Sequence, residues 1–339
     1  MGLDTWDTTP TFSYTAEAGS TVSINFDDGS GFVALANGSG AAQQVTLGTA
    51  YVVGGVKTIQ LQATDAAGNT TLTSLDINIS AIPIIGGDKR EAFAGTSNVD
   101  VINGGGGSDT IGGGAGDDIL RGGDGNDSLS GGAGNDLMSG GDGSDVMAGN
   151  GGHDTMNGNK GQDMMSGGAG DDILRGQGDH DTLSGGNGGD TLSGGDGWDF
   201  LLGGKGHDTL RGGADDDNLR GGDGKDELFG GKDDDILRGG EGSDLLDGGS
   251  GNDLLIGGGG ADRFVFGRGN DVVADLVDDV DTILLDGKAL GIVGMSQNDV
   301  LTKASVVGGD ILFDFGSGNT LEIKGRTDIQ NLADDLLIF

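Results

Sequence analysis

The chain has no cysteine, only two prolines and 4% aromatic residues. The first absence excludes disulfides and thiol chemistry and leaves the compartment open. No run approaches eighteen consecutive apolar residues, so no segment reads as a membrane-spanning helix. Residues Met1 to Ser20 lack a basic and then hydrophobic leader, so no N-terminal secretory signal is expected. Positive charge is scarce: 18 Lys and Arg stand against 55 Asp and Glu, a net charge of −37. That balance disfavours nucleic acid and anionic membranes as partners and favours cations. Only 34% of the residues are apolar while 77 are glycine, a composition that in most chains means disorder.

What is abundant is nevertheless in strict register. From Gly104 to Val265 one nine-residue pattern, Gly-Gly-x-Gly-x-Asp-x-U-x with U a large apolar residue, recurs eighteen times. The first copy is Gly104-Gly105-Gly106-Gly107-Ser108-Asp109-Thr110-Ile111-Gly112. The sixth position is aspartate in every copy, and the eighth is apolar from Ile111 through Leu120, Leu129 and Met138 to Phe264. A disordered low-complexity chain has no reason to hold such a period, whereas a solenoid built from one repeated unit does. This block carries 33 acids and 10 bases over residues 95–265, so −23 of the net charge lies there. Such a body repels itself unless cations are bound.

The spacing suits a hard divalent cation, which takes six or more oxygens from carboxylates and backbone carbonyls. Glycine at positions one, two and four frees the backbone for angles that turn successive carbonyls inward. Aspartate is short enough to keep its carboxylate beside the loop. Positions seven to nine then read as a brief strand with U turned inward. One such residue in nine makes a thin core, so bound metal has to contribute to folding.

The block resembles the RTX family of secreted proteins, in which this nonapeptide binds calcium. The resemblance covers residues about 95–339 and implies a parallel β-roll with two nonapeptides per turn and calcium between loops eighteen residues apart. Carried onto this chain, it implies ligation by Asp109, Asp118, Asp127, Asp136, Asp145, Asp154, Asp163, Asp172 and Asp181. It equally implies Asp190, Asp199, Asp208, Asp217, Asp226, Asp235, Asp244, Asp253 and Asp262, with Asp100 of a degenerate copy at Gly95–Asn103. One site would combine the carbonyls of Gly105 and Gly107 with Asp109, and those of Gly122 and Asp124 with Asp127. The next would combine Gly114, Gly116 and Asp118 with Gly131, Ala133 and Asp136. Eighteen loops paired with their second neighbours give about sixteen Ca²⁺, which would move the net charge from −37 to −5.

Other candidates are weaker. His153, His180 and His207 all sit at loop position five, on alternating edges of the expected roll, and read as exposed loop side chains. No catalytic constellation stands out, and the many Gly-x-Gly-x-x-Gly matches are by-products of the repeat. Trp198-Asp199-Phe200-Leu201-Leu202 places apolar residues outward and reads either as a docking patch or as surface drift. Leu245, Leu254 and Ile256 read as a surface for the tail to pack on.

The flanks differ in texture. Within residues 1–85, Thr21–Phe26, Thr58–Gln62 and Leu75–Ile79 alternate like half-buried strands, with turn signals at Asp27-Asp28-Gly29, Asn37-Gly38 and Ala67-Gly68-Asn69. Asp7-Thr8-Thr9-Pro10 and Ala63-Thr64-Asp65-Ala66-Ala67-Gly68-Asn69 resemble bacterial immunoglobulin-like adhesin repeats, which implies a β-sandwich there. Residues 86–103 read as a linker plus the degenerate copy, and 266–339 as a strand-rich cap. In the cap, Val280–Leu285 and Ile311–Phe315 read as strands, Gly316–Asn319 as a hairpin turn and Asp328–Asp335 as a short helix. Gly269–Asp275 and Asp334–Phe339 are similar to the family's cap and uncleaved export signal, implying the type I secretion machinery as a partner.

The expected architecture is therefore all-β: an immunoglobulin-like β-sandwich, a parallel β-roll and a β-rich cap. The expected role is a calcium-dependent folding and secretion module, not an enzyme, in a secreted or cell-surface protein. The parent would be a large adhesin with neighbouring immunoglobulin-like repeats, because the upstream domain resembles an adhesin repeat rather than an enzyme. The alternatives are the non-catalytic tail of an exoenzyme (protease, lipase or epimerase) or a surface-layer protein. Tandem immunoglobulin-like repeats upstream would favour the first, a catalytic motif the second.

Non-glycine residues stand at position two (Asn150, Asn159, Gln177) and position four (Asp179, Asp215, Asp233) of a few copies, and the loop Gly176–Asp181 carries two of them. That loop is expected to hold its ion least well. Crystallographic occupancies at limiting calcium check this; occupancy there equal to or above that of its neighbours would refute it.

Overall fold

The computed structural model describes residues 84–277 and 280–339 throughout, together with the backbone of six strands between Thr11 and Ile79. Those six strands pair antiparallel. Thr11–Thr15 pairs with Ala42–Thr46, and a second sheet runs in the order Phe32–Asn37, Thr21–Phe26, Gly55–Thr64, Thr70–Ile79. The three alternating stretches of the sequence fall within strands of the second sheet. The turn signals at Asp27-Asp28-Gly29, Gly38 and Ala67-Gly68-Asn69 lie outside the described residues.

The repeats form a parallel β-solenoid of about eleven turns. Each strand runs from position seven of one copy to position three of the next, as in Thr110–Ala115, longer than the three residues expected. Along it the side chains alternate, so position eight and the following position one face inward and positions seven and nine face outward. Every strand pairs in parallel with the one eighteen residues later, as in Thr110↔Ser128 and Ile119↔Leu137. Odd and even copies thus build two facing sheets, with loops along two edges.

Between the sheets lies a single file of apolar side chains. Ile102, Ile111, Leu120, Leu129, Met138 and their successors to Phe264 are at most 2% exposed. The residues that sequence periodicity marked as U are therefore the core, joined at one end by Phe266, Val273, Ile283 and Leu285. Because position one is glycine, nothing competes with that file for the remaining interior space.

The solenoid is longer than the regular repeats. Ile84–Ile85, expected at the end of the sandwich, pairs with Ile102–Asn103, and Ala92–Ala94, expected in the linker, pairs with Thr110–Gly112, so both are rungs of the roll. The reason is visible in Gly86-Gly87 followed by Glu91 and Phe93, which keep positions one, two, six and eight with glutamate for aspartate. At the other end Arg268–Val273 and Thr282–Leu285 continue the two sheets, and Asn319–Ile323 and Leu336–Ile338 add to them in turn. The tail meets the roll by extending its strands. Leu245, Leu254 and Ile256 stay half-buried on the outer faces.

One cap expectation needs correction. Residues 328–335 hold only a three-residue 3₁₀ turn, Gln330–Leu332, whose N-cap position is Ile329 with no side-chain cap bond. The α-helix lies instead at Gln297–Leu301, where Ser296 and Asp299 form a capping box. The hairpin at Gly316–Asn319 joins Asp310–Gly316 to Asn319–Ile323 as expected.

Leu192→Ala, which empties a fully buried position, is expected to cost about 2–5 kcal/mol in saturating calcium. Thr191→Ala on the exposed face should stay within about 0.5 kcal/mol. Denaturant unfolding measures both, and equal losses would contradict the assigned inward face.

Candidate metal centre

Each loop turns on two left-handed residues. Positions two and four have φ between +67° and +148° in all eighteen copies. Where they are not glycine they are Asn150, Asn159, Gln177, Asp179, Asp215 and Asp233, and these adopt the same angles. Asparagine and aspartate tolerate this region better than most residues; glutamine is the costlier exception.

Position one follows a different rule. None of its glycines has positive φ. A Cβ there would overlap the carboxylate of the same loop's aspartate, Asp109 for Gly104 and Asp145 for Gly140. The sequence pattern suggested backbone freedom for all three glycines, but the first is required by space.

The left-handed turns aim the carbonyls. A Cβ on Gly123 or Gly125 would overlap the carbonyl oxygen of Gly105 or Gly107, so those carbonyls point toward the next loop on their edge. From that next loop the carbonyl of Gly122 faces back onto Gly104, beside Asp109 Oδ2. On the opposite edge the carbonyl of Gly114 points at Gly132, that of Gly116 at Gly134, and that of Gly131 returns onto Gly113 beside Asp118 Oδ2. The carbonyls of Asp124 and Ala133 accept hydrogen bonds from the N–H of Gly107 and Gly116, both at 2.7 Å. Each keeps a second lone pair.

The aspartates form a ladder. The N–H of Asp109 donates to Asp127 Oδ1 at 2.7 Å, and the same bond recurs every nine residues up to Asp253 and Asp271 at 3.0 Å. These carboxylates are no more than 3% exposed. Yet Oδ2 of each of the seventeen from Asp109 to Asp253 is buried with no hydrogen-bond partner. Native structures rarely leave buried carboxylate oxygens unpaired, and an uncompensated buried charge costs several kcal/mol.

Burial raises the ladder carboxyls from Asp118 to Asp271 above the ordinary aspartate range, to about 6 at Asp118 and Asp136 and about 7 at Asp145, Asp190 and Asp217. It reaches about 8 at Asp235 and Asp271. The backbone N–H of the preceding loop opposes the rise, and neighbouring aspartates add to it.

The donors fit a hard cation: an unpaired carboxylate oxygen and inward carbonyls, with no sulfur or imidazole. Among the described residues no three acidic or imidazole side chains converge. The loops would therefore hold an ion largely through main-chain oxygens, the donor type calcium accepts.

Several residues fall outside the expected set. Asp271 and Asp281 extend the ladder, with Oδ1 of Asp281 accepting from Asp262 N–H at 2.9 Å. Asp271 was legible as Gly269-Asn270-Asp271-Val272-Val273, which keeps positions four to eight. Asp100, expected as a ligand, instead has Oδ2 bonded by the N–H and hydroxyl of Thr96. The three histidines are not brought together. Each uses Nδ1 to accept a loop N–H eighteen residues on, from Asp171, Trp198 and Lys225. Trp198 is 62% exposed with its ring 5.8 Å from that of His180, and Arg220 lies over Phe200 at 5.1 Å.

The profile of the family described as RTX calcium-binding nonapeptide repeat (4 copies) matches in overlapping segments that together span residues 85–273, more than half of the chain. No curated protein matches. Among solved structures, the extracellular lipase LipA of Serratia marcescens aligns at 20% identity with a TM-score of 0.25, over 63% of this chain. The alignment spans only 40% of the lipase.

The raised carboxyls give the calcium-free roll a definite pH dependence. A carboxyl whose folded pKa lies above its unfolded value stabilises the fold fully below the unfolded value and loses that contribution as pH rises through the folded one. In chelator, β-structure by circular dichroism is therefore expected to increase from pH 8 to pH 5. Calcium affinity should fall over the same interval, because protons then occupy the ligands. A calcium-free fold that strengthens toward pH 8 would contradict the ladder's burial.

Proposed function

Because this chain belongs to the family of RTX calcium-binding nonapeptide repeat proteins, we propose that its roll is a calcium-conditional folding unit of a type I secreted, extracellular protein. The roll is a non-catalytic calcium-binding module. The observation that carries the proposal is the row of seventeen buried, unpartnered Oδ2 atoms. The carbonyls of Gly105 and Gly107 with Asp109 below, and those of Gly122 and Asp124 with Asp127 above, would hold one ion. Gly114, Gly116 and Asp118 with Gly131, Ala133 and Asp136 would hold the next, and so along both edges for sixteen or seventeen ions. A bound calcium ion supplies two positive charges and accepts six or more oxygens.

The chain's own residues account for the rest. Where calcium is scarce, the carboxylates repel and the single file of U residues is too thin to order the loops. The segment then stays extended, which suits export through a narrow channel. Where calcium is plentiful, the carboxylates and carbonyls can close around it and the two sheets assemble. The cap continues both sheets and covers the end of the core, and its last residues would carry the export signal.

The parent we infer is a large adhesin. Support comes from the antiparallel strands ahead of the roll and from the two stretches there that resemble immunoglobulin-like adhesin repeats. Neighbouring repeats of that kind would be its partners within the parent protein.

A calcium titration followed by circular dichroism tests the folding claim. The transition is expected at about 10⁻⁴–10⁻³ M, the range of extracellular calcium modules. Magnesium at equal concentration should not reproduce it, because it demands a tighter octahedral shell and gives up water reluctantly. Full β-structure in excess chelator at neutral pH would refute the proposal.

A further inference from the structure

We propose that the metal-holding stack is displaced from the regular repeats: it takes a ligand from the cap, Asp271, and leaves the first two loops, residues 86–91 and 95–100, free of metal. This rests on the reading above that the loops hold calcium.

At the N-terminal end the chain satisfies its own carboxylates. Asp100 Oδ2 accepts from the N–H of Thr96 at 2.6 Å and from its hydroxyl at 2.9 Å. Glu91 Oε2 accepts from Gly87 N–H at 2.6 Å. The side-chain oxygen that is unpartnered in the next seventeen loops is paired in both of these. Nor does either loop have a left-handed residue at position two or four, where Gly87, Lys89, Thr96 and Asn98 stand. The left-handed turns are missing; the carbonyls of Gly87 and Thr96 still face Gly105 and Gly114, but they accept the N–H of Gly106 at 2.6 Å and of Ala115 at 2.9 Å. These rungs complete the pairing of the roll without needing an ion.

At the C-terminal end the reverse holds. Asp253 is 1% exposed and its Oδ2 has no partner. Gly249 and Gly251 are left-handed, at φ 98° and 148°. A Cβ on Gly269 would overlap the carbonyl oxygen of Gly251, so that carbonyl points at the cap's first loop. Above it, Asp271 Oδ1 takes the N–H of Asp253 at 3.0 Å, and Ser250↔Arg268 and Gly251↔Gly269 keep the eighteen-residue register. The lower half of this gap therefore keeps the unpartnered Oδ2, both left-handed residues and the position-four carbonyl of the sixteen before it; above, Gly267 is not left-handed and does not meet the Gly249 carbonyl.

Its upper half belongs to the cap. The strand Arg268–Val273 pairs onward with Asn319–Ile323, Asp271 opposite Leu321. An ion held between Asp253 and Asp271 would fasten the cap to the roll. Filling of the last gap and closure of the core's end would then be one event.

Crystals of the full chain grown with terbium replacing calcium locate the ions by anomalous scattering. The expected result is a peak between loops 248–253 and 266–271, and none between loops 95–100 and 113–118. Peaks in the regular gaps with none beside Asp271, or a peak above Asp100, overturn this inference alone. Absence of peaks from every gap overturns the calcium reading beneath it. In native mass spectrometry of the full chain, Asp271→Asn should bind one ion fewer than wild type and Asp100→Asn the same number. An unchanged count in the first, or a lost ion in the second, likewise overturns it.

Discussion

The structure depends on one half-satisfied group repeated seventeen times: a buried aspartate whose Oδ1 is hydrogen-bonded to the loop below while Oδ2 meets no donor. A lone arrangement of this kind costs several kcal/mol, and a file of them would unfold an ordinary domain. Here the unpaired oxygens share their gaps with carbonyls of the same polarity, so the deficit is one of positive charge, not of geometry. In the folded roll the Oδ1 bonds fix every carboxylate against its gap. The ladder is thus both the obstacle to folding and the template for what removes it.

The other parts of the repeat follow from keeping that carboxylate where it is. Position one is glycine because the aspartate fills the volume a Cβ would take. Positions two and four are left-handed so that two carbonyls share the gap, and six non-glycine residues accept that conformation. The apolar residue at position eight faces the same interior as position one, and so the core and the polar gaps alternate along each strand. Arginine side chains are left to the outer faces, where Arg211 covers Phe229 and Arg220 covers Phe200.

Much of this was legible in the sequence because strict periodicity exposes both what faces inward and what faces outward. The buried file from Ile102 to Phe264, the aspartate row and the six left-handed substitutions all follow from register alone. The rungs at either end were harder to read, because there the pattern decays and only part of each copy, such as Gly269–Val273, stays in register. Glu91 replaces aspartate, Thr96 replaces glycine, and Asp271 stands in a copy that has lost its first glycine to Phe266. Pairing eighteen residues apart tolerates such losses, since a parallel strand is held by its backbone and by one inward apolar residue. Hydrogen-bond partners, which decide that Asp100 is satisfied and Asp253 is not, cannot be read from spacing. The short helix at Gln297–Leu301 was hidden for a different reason: five residues are too few to establish a helical period.

The most direct measurement is amide hydrogen exchange at the ladder N–H groups themselves, from Asp127 to Asp244, at neutral pH. With calcium in excess these amides should exchange only through global unfolding. In excess chelator they should exchange at the rate of an unstructured chain. Ladder amides that stay protected in chelator would contradict the account, because the buried carboxylates would then be tolerated without a cation.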